Sequence, residues 1–99
     1  MNELRKSAKG RSCQVRIPGI CNGDSETTVL AHLNGGGMGI KQPDLFGAFC
    51  CFSCHNCLDR RTPCDYTKNE LELFHFQGMV RTQRIWLREG LIVVKGGLS

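Results

Sequence analysis

The nine residues Cys51-Phe52-Ser53-Cys54-His55-Asn56-Cys57-Leu58-Asp59 constrain this chain more than any other stretch. A Cys-x-x-Cys pair lets two thiolates from one tight turn hold one zinc ion. His55 and Asp59 stand four apart, so on a helix they share a face and can hold a second ion. The juxtaposition predicts one metal that builds the fold and another that does chemistry.

Size and cysteine usage point the same way. A chain of 99 residues is one small domain with a limited apolar core, and such chains often lean on metals or disulfides. Seven cysteines is an odd number, which fits full disulfide pairing poorly. No apolar run reaches membrane-spanning length, and Met1-Asn2-Glu3-Leu4-Arg5-Lys6 lacks the apolar core of a signal peptide. A reducing, cytoplasmic setting is therefore expected, with no membrane partner and with cysteines as metal ligands or free thiols.

A tetrahedral zinc site needs two ligands beyond Cys51 and Cys54. Cys13 and Cys21 are the obvious donors, because they flank a Pro18-Gly19 turn that can bring both thiols to one side. Four thiolates make the closed shell of a structural zinc site. Cys54-x2-Cys57 is a competing pair. Cys50 and Cys51 would point to opposite sides of a strand end, so only one can be a ligand. Cys50, Cys57 and Cys64 read as buried, inert thiols. Cys64 has no spaced partner.

The chain divides into a basic arm, residues 1–11, and a single domain, residues 12–99. A short helix is expected at 2–9. Strands are expected over Thr27–Leu33, over Leu45–Cys50 and, at an edge, over Leu91–Val94. Gly35-Gly36-Gly37-Met38-Gly39 reads as a loop without the Gly-Lys-Ser/Thr ending of a P-loop. A short helix at 53–61 stops before Pro63. Thr67-Lys68-Asn69-Glu70 is a capping box that opens a long helix. Leu71, Phe74, Gly78, Met79, Thr82, Ile85 and Trp86 form its apolar stripe, and Gly90 caps it. The fold class is α+β.

The net charge of +4 is unevenly spread. Arg5, Lys6, Lys9, Arg11 and Arg16 crowd the start of the chain, which suits a polyanion such as DNA as well as it suits a solubilising tail. Arg60 and Arg61 follow Asp59 directly and could grip phosphates, or could be a solvated helix end. Arg81, Arg84 and Arg88 could track a DNA backbone, but a solvated helix face is the more common explanation. His32 ends the first strand, Asp44 begins the next, and His55 and Asp59 lie on the helix after it. A hairpin packed on a helix could converge these four groups. Imidazole and carboxylate together suit Mg²⁺, Mn²⁺ or a catalytic Zn²⁺.

Ala31-His32, Lys41-x-Pro43-Asp44 and Cys51-x-x-Cys54-His55-x3-Asp59 resemble the HNH (ββα-metal) nucleases. The similarity is closest to the small YbcO-type nucleases of lambdoid prophages. Cys13-Gln14-Val15-Arg16-Ile17-Pro18-Gly19 and Gly78-Met79-Val80-Arg81-Thr82-Gln83 extend it over most of the chain. The resemblance implies a zinc-braced ββα-metal domain with an added C-terminal long helix. It implies His32 as general base, Asp44 near a central Asn that steadies the base, and His55 and Asp59 as ligands of a catalytic divalent ion. It also implies Cys13, Cys21, Cys51 and Cys54 as a structural zinc knuckle, and a bacterial host cell as the setting.

Two positions depart from the family pattern. Ala31 stands where these enzymes often carry an Asp or His ligand, and Asp44 replaces the central Asn. Water, Asp44 or His32 itself could complete the ion's shell, and in the last case the base is unassigned. The function expected is a metal-dependent DNA endonuclease in phage recombination or DNA processing. Arg5, Lys6, Arg11, Arg60 and Arg61 would hold the DNA. The alternative is a non-catalytic zinc-braced DNA-binding or adaptor module, which needs the cysteines but not His32, Asp44, His55 and Asp59.

Overall fold

The computed structural model describes residues 3–32 and 43–96. The Gly35–Gly39 loop and Lys41 lie outside them. Helix α1 spans Glu3–Lys6, strand β1 Val29–His32, strand β2 Gly47–Cys50, helix α2 Phe52–Leu58 and helix α3 Lys68–Glu89. The strands pair antiparallel, with Leu30 opposite Phe49, Ala31 opposite Ala48 and His32 opposite Gly47. The architecture is a small α+β domain: a two-stranded sheet, a short helix and a long C-terminal helix.

Among the described residues the two expected strands of the hairpin and the short helices are present but shorter. A 3-10 turn at Ser25–Thr27, capped by the Asp24 side chain, takes the start of the first strand candidate. Another at Asp44–Phe46 follows Pro43 and takes the start of the second. Residues Leu91–Val94 form no strand, and Val93 is 79% exposed. The Thr67 and Glu70 capping box is present, and Gly90 ends α3 in the left-handed region at φ 76°.

Every residue of β2 is buried, so the sheet is covered on both faces. Side-chain alternation along the strands sends Leu30 and Phe49 to a cluster with Ala8 and Trp86. It sends Ala31, Ala48 and Cys50 to a second cluster built around the cysteines. Helix α3 is anchored to β2 by the Phe49 N–H, which donates to Thr82 Oγ1 at 3.0 Å. The Phe49 and Trp86 rings meet edge to face at 5.8 Å. Trp86 Nε1 donates to Ser7 Oγ at 2.8 Å, which ties the N-terminal segment down.

Gly78 is where α3 meets the Cys13–Ile17 segment. A Cβ there would lie 2.8 Å from Val15 Cγ2, 2.9 Å from Val15 Cα and 3.0 Å from Val15 N. Alanine would gain roughly 1 kcal/mol of helix propensity. Overpacking against backbone costs about 1–3 kcal/mol, because the Val15 Cα and N atoms cannot rotate away. Gly78→Ala should therefore lower the thermal midpoint. A midpoint at or above wild type would show that Val15 has room to yield.

Candidate metal centre

The Sγ atoms of Cys13, Cys21, Cys51 and Cys54 all lie within 4.8 Å of one another. Cys51 is the N-cap of α2, and Cys54 sits on its first turn. The turn after Cys13 places Arg16 at φ 53°, held by Arg16 Nε donating to the Cys13 carbonyl at 3.2 Å. Zn–S bonds of about 2.3 Å in a tetrahedron put sulfurs about 3.8 Å apart. The Cys21 and Cys51 sulfurs are 3.8 Å apart. Three backbone N–H groups aim at the cluster: Arg16 at Cys13 Sγ, Ile17 at Cys54 Sγ and Cys54 at Cys51 Sγ, each at 3.4 Å. Such donors favour the thiolate form that a metal requires. The donor set thus fits a structural zinc ion, and these four residues could hold one.

Cys50 is fully buried behind the cluster. It packs with Cys13, Cys51 and Cys54 in the cysteine-rich core.

On the other side of the sheet's end, His32 Nε2 and Asp44 Oδ1 are 2.5 Å apart. Arg5 Nη2 reaches the same oxygen at 3.2 Å. The hydrogen bond with His32, aided by Arg5, holds the Asp44 carboxyl below its ordinary value, so it is an anion at neutral pH. A carboxylate can only accept, so Nε2 carries the proton and Nδ1 is the basic nitrogen of neutral His32. On α2, His55 Nε2 and Asp59 Oδ2 are 3.4 Å apart, one helical turn from each other. Two ligand atoms about 2.1 Å from one ion at a tetrahedral angle are also about 3.4 Å apart. The pair therefore has the bite of a bidentate metal site. Among the described residues, the four cysteines alone bring three or more ligand atoms so close together.

His75, a buried residue of α3, reaches the strand that carries His32. Its Nε2 donates to the Ala31 carbonyl at 2.8 Å, next to His32 in the chain. Burial pushes its pKa down. The only available signal was a histidine at helical spacing with the apolar stripe.

The pH consequence has a definite sign. The folded chain keeps His75 neutral to lower pH than the unfolded chain, whose His titrates near 6.5. The unfolded state then binds more protons, so stability falls as pH drops below about 6.5 and levels off beneath the folded value. Urea unfolding at about pH 7 and pH 5 should show a larger loss for wild type than for His75→Gln. Equal losses would assign the acid sensitivity elsewhere.

The basic residues differ in their surroundings. Arg11 makes two 2.6 Å bonds to Glu89 and stacks over Phe49. Arg81 donates to the Gln14 carbonyl at 2.7 Å. Lys6, Arg60 and Arg61 are exposed, and Arg61 lies 3.5 Å from Asp59 Oδ2. Arg60 ends α2 in the left-handed region at φ 60°, a position that suits glycine.

These features define a small α+β domain whose four-cysteine cluster could hold a metal, beside a half-buried imidazole–carboxylate surface. The family described as "Putative nuclease YbcO" matches residues 2–91. The chain belongs to that family. It is 52% identical over 98 residues to "Putative nuclease YbcO" of Escherichia coli (strain K12), covering 93% of this chain and 98% of the relative. The same figures hold for "Putative nuclease ybcO" of Enterobacteria phage 82. A solved structure described as that of "a putative bacteriophage protein from Escherichia coli str. K-12 substr. MG1655" is 48% identical. It superimposes with a TM-score of 0.77 over 89% of this chain and 100% of its own. No helix among the described residues is long and apolar enough to cross a membrane.

Proposed function

We propose that this protein is a metal-dependent DNA endonuclease of the ββα-metal (HNH) type, braced by zinc on Cys13, Cys21, Cys51 and Cys54. The observation that carries the reading is the 2.5 Å contact of His32 Nε2 with Asp44, which leaves Nδ1 as a base. Family membership and the names of the relatives support nuclease chemistry.

His55 and Asp59 would hold Mg²⁺, Mn²⁺ or a second Zn²⁺, which supplies charge stabilisation at a scissile phosphate. His32 Nδ1 takes the proton of the attacking water, and anionic Asp44 stabilises the resulting imidazolium. His75 holds the strand carrying His32 through the Ala31 carbonyl. Exposed Arg60, Arg61 and Lys6 would meet phosphates. Arg5 fixes Asp44 and is a positioning group. A cytoplasmic role in phage DNA processing would follow from such an activity and from the relatives' phage association.

The test is plasmid nicking by zinc-loaded protein, with and without added Mg²⁺ or Mn²⁺. Supercoiled DNA should convert to open circles only with the added ion, and His55→Ala should need more of it. Chelators are avoided, because they would also strip the cysteines. If DNA is bound but never nicked under any ion, the protein is a binding module and this mechanism fails.

A further inference from the structure

Two cysteines outside the four-sulfur cluster flank the turn that carries Asp59, Arg60 and Arg61. Cys57 lies on α2 and Cys64 in the segment that leads to α3. Their Sγ atoms are 2.8 Å apart. A disulfide bond is about 2.05 Å long. The two sulfurs are therefore in contact, less than 1 Å beyond bond length. The turn makes the meeting possible: Arg60 is left-handed at φ 60°, and the Arg61 N–H closes on the Asn56 carbonyl at 2.8 Å.

The two thiols are not equally accessible. Cys57 is fully buried in the cysteine-rich core. Cys64 is half-buried and lines a cleft of about 590 Å³ with Pro18, Ile20, Tyr66 and Glu70. That volume is within the range that holds small molecules. The other five cysteines are differently placed. Four are gathered for a metal, and Cys50 is fully buried behind them.

We propose that Cys57 and Cys64 form a reversible disulfide, with a small-molecule disulfide as the oxidant and Cys64 as the sulfur it meets. The Cys64 sulfur attacks one oxidant sulfur and breaks its S–S bond. One small thiol leaves and takes the proton of Cys64. The Cys57 sulfur then attacks Cys64 Sγ and breaks the mixed disulfide. The second small thiol leaves with the proton of Cys57. Two electrons pass from the protein pair to the oxidant, and excess small thiol reverses both steps. The closed ring fixes the segment that bears Asp59, Arg60 and Arg61. This site stands whether or not the protein cuts DNA.

The experiment treats zinc-loaded full-length protein with oxidised glutathione, blocks remaining thiols under denaturing conditions and sequences the linked tryptic peptides by fragmentation, because the 42–60 peptide carries Cys50, Cys51, Cys54 and Cys57. The Thr62–Lys68 peptide holds Cys64 as its single cysteine. It should appear linked to Cys57, with two thiols lost and zinc retained, and dithiothreitol should release it. Cys57→Ser should instead retain glutathione on Cys64, and Cys64→Ser should lose no thiol. A stable glutathione adduct on wild-type Cys64, a link to Cys51 or Cys54, or unchanged thiols would each overturn the proposal.

Discussion

Removing zinc from the four-cysteine cluster, or replacing Cys51 by serine, should leave a chain with no cooperative thermal transition at ambient temperature. The cysteine-rich core contains Cys13, Cys51 and Cys54 as buried members, with Val15, Ile17, Ala31, Ala48 and Leu71 packed among them. Structural zinc contributes roughly 10–16 kcal/mol of apparent binding free energy in small zinc domains. A domain of this kind has only about 5–15 kcal/mol of net stability. The metal term is thus as large as the whole, and its loss leaves four sulfurs crowded within 4.8 Å.

Serine is an informative replacement at position 51. Cys51 Sγ caps α2 by accepting from the Cys54 N–H. Serine caps helices well, so Cys51→Ser removes a ligand while keeping the cap. Circular dichroism melting and elemental analysis on the same sample read the outcome. Cys64→Ser, outside the cluster, should keep both the transition and one zinc per chain. A Cys51→Ser protein that melts like wild type with full zinc would sink the four-cysteine assignment.

What was legible in the sequence was what short spacing controls. The capping box needs only Thr67 and Glu70, three apart, and it forms as read. The Cys51-x-x-Cys54 bite and the Pro18-Gly19 turn between Cys13 and Cys21 are local, and the shared need for four thiolates at one metal pointed to the long-range meeting of the two pairs. The Leu91–Val94 strand failed for a long-range reason. Its composition is strand-like, but the Leu91 N–H donates back to the Trp86 carbonyl at 2.9 Å past the Gly90 cap, and Val93 stays in solvent.

The cysteine pair at 57 and 64 was invisible for a different reason. Its spacing matches no metal bite, and the contact depends on a non-glycine residue, Arg60, entering the left-handed region. His75 was hidden because a buried histidine on an apolar stripe looks like any core residue. Its partner is a backbone carbonyl on a distant strand. At the candidate site, the sequence named His32, Asp44, His55 and Asp59. The structure groups them as two pairs, His32 with Asp44 and His55 with Asp59.

That pairing sets the second large effect. His32→Ala should lower the nicking rate by roughly 10²–10⁴-fold, the usual contribution of a positioned general base. Asp44→Asn should lower it less. An asparagine Oδ1 can still accept the Nε2 proton, so the ring stays aimed, but the charge that stabilises an imidazolium is gone. Arg5→Ala should have the smallest effect of the three, because it acts through Asp44 at 3.2 Å and is half exposed. The order His32, Asp44, Arg5 is the signature of a base, its charge partner and a positioning group. Initial nicking rates in Mn²⁺, on variants that keep their zinc and their melting transition, read it directly. His32→Ala nicking at the wild-type rate would remove His32 from the chemistry. An Asp44→Asn rate below that of His32→Ala would make Asp44 the primary group and shift the assignment toward metal ligation.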